Sequence, residues 1–72
     1  METEERKLKA KAFLMRHNKE LAEMILSGKD SLILKKGKYP EECEEELQEM
    51  LILLPDVEQV FIEEEGIKII IK

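Results

Sequence analysis

Few residues in this chain are equipped for chemistry, and they lie far apart. His17 is the only histidine, a residue type that serves as a general base or a metal ligand near neutral pH. Catalysis would need a nucleophile or an orienting carboxylate beside it, and a zinc site would need about three or more ligands. His17 falls inside an apolar helical stripe, so the expectation is a part-buried imidazole with one hydrogen bond. Cys43 is the only cysteine and lies just behind Pro40, near a helix start that could lower its pKa. The glutamates at 41, 42, 44, 45 and 46 act in the opposite direction, because they disfavour a second negative charge. Its place on the core stripe makes Cys43 a small buried hydrophobe.

Two charged runs complete the inventory. "EECEEELQE" offers carboxylates for a divalent cation or for acid–base work. Calcium loops set their ligands around a glycine turn, however, and glycosidase carboxylates face each other across a cleft. These acids instead fan around one helix as a solvated face. "KKGKYP" places Lys35, Lys36 and Lys38 before a helix N-terminus, where phosphate can bind. Glu41 and Glu42 already compensate that helix end, and the glycine spacing of a phosphate loop is missing. The lysines are expected to screen the acidic helix. No catalytic residue, cofactor site or metal site is expected, and the chain does not read as an enzyme.

Composition narrows the function classes further. Charged residues make up 40% and hydrophobic ones 43%, a globular balance, and 72 residues (1–72) form a single domain. A net charge of −5 argues against nucleic acid, and three aromatic residues are too few for a base-stacking platform. No apolar run approaches the ~20 residues of a membrane span, and "METEERKLKA" lacks a signal-peptide core. A lone cysteine fits a reducing compartment, so a natural chain of this kind is expected in the cytoplasm. No membrane, nucleic-acid or small-molecule partner is expected.

The elements follow from periodicity. Thr3 can cap a first helix whose main stripe is Ala10, Phe13, Leu14, His17, Leu21, Met24 and Ile25, with Gly28 as its stop. Leu8, Ala12, Met15, Ala22 and Leu26 make a weaker stripe on nearly the opposite side. "SLILK" at 31–35 alternates as a short strand. Pro40 then opens a second helix with stripe Cys43, Leu47, Met50, Leu51 and Leu54, ended by Pro55. "VEQVFIEEEGIKIIIK" reads as a hairpin whose last strand, the most apolar, suits the middle of the sheet. The fold class is α+β: a two-layer α/β sandwich of order α-β-α-β-β, with two helices on a three-stranded mixed sheet in a split β-α-β arrangement.

Ile70 breaks the hairpin's alternation by sitting between Lys68 and Lys72 on the face that should be wet. Two registers are open. A type I turn over Glu64 and Glu65, with Gly66 as a bulge, puts Val60 and Ile62 on Ile70's face. A tighter turn at Glu65-Gly66 puts Phe61 there instead. Ile33, Ile70 and either Val60 with Ile62 or Phe61 then form an apolar outer face. That face is the candidate interaction surface, and a weak homodimer is the expected use of it.

From residue 31 onward, with "LPDVEQVFIEEEGIKIII" as its core, the chain resembles the second half of a heavy-metal-associated domain, where a helix runs into a strand pair of a ferredoxin-like unit. That family's metal site is a paired-cysteine loop before the helix. Here the loop is "KKGKYPEE", so the resemblance implies the fold and not the metal function. The agreement of cap, stop and turn residues with the stripes is also the consistency of a de novo designed scaffold without biochemical activity. The alternative expectation is a small natural interaction module that self-associates or binds a partner through the outer sheet face.

Overall fold

The computed structural model describes residues 2–72. The first helical stretch is two helices, α1 (Glu2–Arg16) and α2 (Asn18–Ile25), not one. The break falls at His17, whose φ of −105° and ψ of 17° leave the helical region. Neither proline nor glycine causes it, and the backbone ladder survives: His17 N–H donates to Phe13 O and Leu21 N–H to His17 O. The two helices therefore keep one continuous buried stripe. Ala10 and Leu21 are buried, and Phe13, Leu14, Met24 and Ile25 pack against the same core. Thr3 lies inside α1, which begins one residue before it.

After Gly28, at φ 86°, comes β1 (Ser31–Lys35). Pro40 is extended and leads into a 3-10 turn at Glu41–Cys43, which continues as α3 (Glu44–Leu51). The helix stops short of Pro55, and Leu54, expected on its buried stripe, is 38% exposed. β2 (Val57–Glu63) and β3 (Gly66–Ile71) complete a sheet of order β1-β3-β2. Both ladders are antiparallel, the pairing that a central final strand in a split β-α-β order requires, so the sheet is antiparallel throughout and not mixed. The two edge strands run parallel to each other, but β3 separates them. The central place goes to β3, the strand richest in isoleucine, because only the middle strand has a neighbour on both sides.

One face of the sheet is dry. Leu32 and Leu34, Ile67 and Ile69, and Val57 and Val60 join Leu21, Cys43, Leu47 and Leu51 in a single core. Helix α3 packs on both α1 and β2. The described residues thus form a small α+β fold with three α-helices and a three-stranded antiparallel sheet.

The hairpin adopts neither expected register. Glu63 pairs with Gly66, Ile62 with Ile67, Phe61 with Lys68 and Val60 with Ile69, so only Glu64 and Glu65 form the loop. Gly66, at φ 150°, is already in the ladder, opposite Lys35 as well as Glu63. The reason is steric. A Cβ at residue 66 would collide with the carbonyl oxygen of Leu34, so the glycine lets three backbones close up rather than making the turn.

Candidate interaction face

The register decides what the outer face carries. Across the sheet its rows are Ser31–Ile70–Gln59, Ile33–Lys68–Phe61 and Lys35–Gly66–Glu63. Phe61 and Ile33 therefore flank Lys68, with Ile70 one row away on the central strand. Phe61 is 46% exposed, Ile33 37%, and Ile70 is half-buried. Lys68 is half-buried too, the state in which a lysine stem lies along apolar surface with its ammonium in water. Val60 and Ile62 do not belong to this face. Val60 is buried in the core, and Ile62 is half-buried on the same side, opposite Ile67. Of the two faces expected, the register gives the one with Ile33, Phe61 and Ile70, while Val60 and Ile62, the other alternative, point inward.

His17 lies at a groove of about 500 Å³ between the bent helix and β1, with Phe13, Leu21, Met24, Leu34 and Lys38 among its walls. Its ring is tilted against Phe13 with centroids 4.7 Å apart, and Nδ1 stands 3.6 Å from the exposed carboxylate of Glu20. Cys43 does not share this groove. It is fully buried, and its thiol donates to the carbonyl of Pro40 at 3.3 Å. Burial pushes that thiol above its ordinary pKa of 9.0, and the charges of Glu42 and Glu46 push it further. The two groups best suited to chemistry are thus set apart, and the thiol is held in its unreactive form.

The acidic helix is not uniformly solvated. Glu46 is only 9% exposed, and its Oε1 has no hydrogen-bond partner among the described residues. Buried Tyr39 donates to Glu44 at 3.4 Å; burial first, then the charges of Glu44 and Glu41, raise its pKa above 10.0. Lys9 of α1 pairs with Glu42 at 3.2 Å. A backbone hydrogen bond, and then Lys9, hold the Glu42 carboxyl below its usual range. The cation paired with the acidic run therefore comes from α1 rather than from the 35–38 loop. In that loop Lys38 N–H donates to Lys35 O around Gly37, at φ 92°, which makes a tight turn. Among the described residues no three His, Cys, Asp or Glu side chains converge as metal ligands.

Two helical positions bear on the surface: one stripe is legible in the sequence, and one residue is hidden there. The weaker stripe of the first helical stretch faces outward, with Leu8, Met15 and Leu26 each at least 66% exposed. Glu46 completes the Cys43–Leu47–Met50 stripe at three-and-four spacing, a signal the surrounding glutamates hide. No helix among the described residues is long and apolar enough to cross a membrane. No protein-family model, curated protein or solved structure matches the chain.

Proposed function

We propose that this chain is a small protein-interaction module without catalytic chemistry, and that copies of it associate weakly through the sheet side carrying Ile33, Phe61 and Ile70. The scaffold beneath is read as two layers, with the helices over one face of a split β-α-β unit of ferredoxin-like type. The observation that carries the proposal is Phe61. Nearly half exposed on a strand, it is a large aromatic side chain on the face opposite buried Val60 and half-buried Ile62. The area explains why the association is weak. Three strands about 4.8 Å apart and five residues long present roughly 14 × 17 Å, or about 240 Å². A stable dimer buries about 800 Å² per partner, so a dissociation constant near 1 mM, about −4 kcal/mol, is the expected scale.

Light scattering across a concentration series tests this. Mass should rise toward that of a dimer as the protein approaches about 1 mM. Ile70→Lys together with Phe61→Lys then separates the modes of contact: a lowered mass with an intact melting curve means that the faces themselves stack, and an unchanged mass places the contact elsewhere on that sheet side. Constant monomer mass for the wild type through that range refutes the proposal.

A second reading, a designed scaffold with no activity, draws on the agreement between the main stripe of the first helical stretch and its burial. Designed backbones of this type are commonly hyperstable, so it calls for a melting temperature above about 90 °C. An ordinary transition near about 45–65 °C ends it.

A further inference from the structure

The two edges of the sheet differ. In an antiparallel ladder, alternate residues bond to the neighbouring strand and the others point away. Ile71 N–H donates to Asp30 O, and Lys36 N–H donates to Glu65 O. The residues of β1 that bond β3 are therefore the even-numbered ones, and the backbones of Ser31, Ile33 and Lys35 face the open edge. The same parity on the far side leaves Val60 and Ile62 facing out from β2. There the edge is obstructed. Gln48 Nε2 donates to the Val60 carbonyl at 2.7 Å, a bulge interrupts the strand between Val57 and Gln59, and Val57 N–H is taken by Leu54 O. On β1 only the Lys35 carbonyl is engaged, by Lys38 N–H. Protein sheets ordinarily blunt their edges; β2 is obstructed by hydrogen bonds and a bulge, whereas β1 is guarded by its shortness and Lys35 alone.

We propose that β1 is the contact between copies: two chains pair β1 to β1 antiparallel about a twofold axis at Ile33, making one six-stranded sheet. This deepens the self-association proposed above and rests on it: the contact lies at the β1 edge of that sheet side, where Ile33 stands, and the faces join side by side instead of stacking. Chemistry along the strand selects a second copy and this register. Centred on Ile33, each Ile33 exchanges its free backbone N–H and C=O with the other, and Lys35 N–H reaches the partner's Ser31 carbonyl. Lys35 stands across from Ser31, and Asp30 stands across from Lys36 in both halves of the pair. Every charged position from 30 to 36 thus meets an opposite charge or a hydroxyl. The groove holding Phe13 and Met24 is lined by Ile33, Leu34 and Lys35 of the same strand. The outer faces merge, so the exposed Ile33 side chains cover each other and the apolar surface per assembly doubles.

The test uses the intact chain in sedimentation equilibrium up to about 1 mM, a range set by the weak affinity expected. Ile33→Pro removes an N–H that points out of the sheet and breaks no bond to β3, as proline on an edge strand can. It should abolish dimerisation while the melting curve persists. Lys36→Asp sets two carboxylates against each other and should weaken the dimer by about three- to tenfold, the scale of exposed charge pairs. Asp30→Lys combined with Lys36→Asp should restore it. If Ile33→Pro fails to fold, the charge reversal and its rescue decide. Association unchanged by Ile33→Pro and by Lys36→Asp, or lost without rescue in the double variant, overturns the edge contact. Loss with Phe61→Lys and Ile70→Lys alone points to stacked faces. A wild type that stays monomeric refutes self-association itself.

Discussion

Gly66→Ala tests the register on which the outer face depends. Gly66 has φ 150°, a region that L-residues rarely enter, and holding a non-glycine residue there costs about 1–3 kcal/mol. The new Cβ would also collide with the Leu34 carbonyl oxygen and stand 3.0 Å from Lys35 Cα. Both obstacles are backbone, which cannot swing aside as a side-chain tip can. Forcing β1 and β3 apart at that row adds a further cost of about 1–3 kcal/mol, the range for overpacking. The combined loss is then about 2–6 kcal/mol. A domain of 72 residues at roughly 0.05–0.15 kcal/mol per residue holds about 4–11 kcal/mol in all. The substitution should therefore remove about half of the stability. In urea, with a slope near 1 kcal/mol/M for a chain this small, the midpoint should fall by about 2 M or more. A shift equivalent to less than about 0.5 kcal/mol, the size of a surface change, would refute the reasoning. It would mean that residue 66 sits in the turn and that Val60 and Ile62 have returned to the outer face.

Three further outcomes follow from burial and charge. Leu21→Ala, at a position 6% exposed beneath α2, should cost about 2–5 kcal/mol in denaturant unfolding, and a loss under about 0.5 kcal/mol would remove it from the core. Glu46→Met replaces a buried carboxylate having an unpartnered oxygen with an apolar side chain of similar length; stability should rise by about 1–3 kcal/mol, and a fall would mean that the carboxylate has a partner. Cys43 and Tyr39 both have raised pKa values, so above about pH 9 the unfolded chain gives up protons before the folded one does. Stability should therefore be intact below that pH and decline as pH rises through the folded values. Urea midpoints at about pH 7.5 and 10.5 check the sign, with Cys43→Val plus Tyr39→Phe flattening the difference.

Patterns governed by local period were legible in the sequence. The main stripe of the first helical stretch, from Ala10 to Ile25, is buried or half-buried at every position named, and the opposite stripe is exposed. Leu32 and Leu34 point inward as alternation requires, and β3 is central as its apolar content suggests. What could not be read depends on contacts between elements. The break at His17 carries no helix-breaking residue; it shows only in the backbone angles and in the ring contact with Phe13. The hairpin register turned on a close approach between Gly66 and Leu34, residues from strands distant in sequence. A glycine after two glutamates reads locally as turn chemistry, and here the third strand decides its role. The choice between Phe61 and the pair Val60 and Ile62 stays open in the sequence for that reason, since one step of register exchanges the faces of a strand.

Ile70 can now be placed. It breaks the polar alternation of β3 because the outer face is not a purely wet surface: Ile33 and Phe61 lie on it as well, one row away around Lys68. A central lysine disfavours stacking of two such faces, since its ammonium must reach water and the stacked faces would oppose like charges. Edge pairing avoids that conflict, because it leaves Lys68 of both copies open to solvent while the Ile33 side chains meet. Gln48 then limits how far pairing can go. With the Val60 carbonyl occupied, only β1 is free, and a single self-complementary edge closes as a dimer. Two open edges would instead allow the sheet to extend without end.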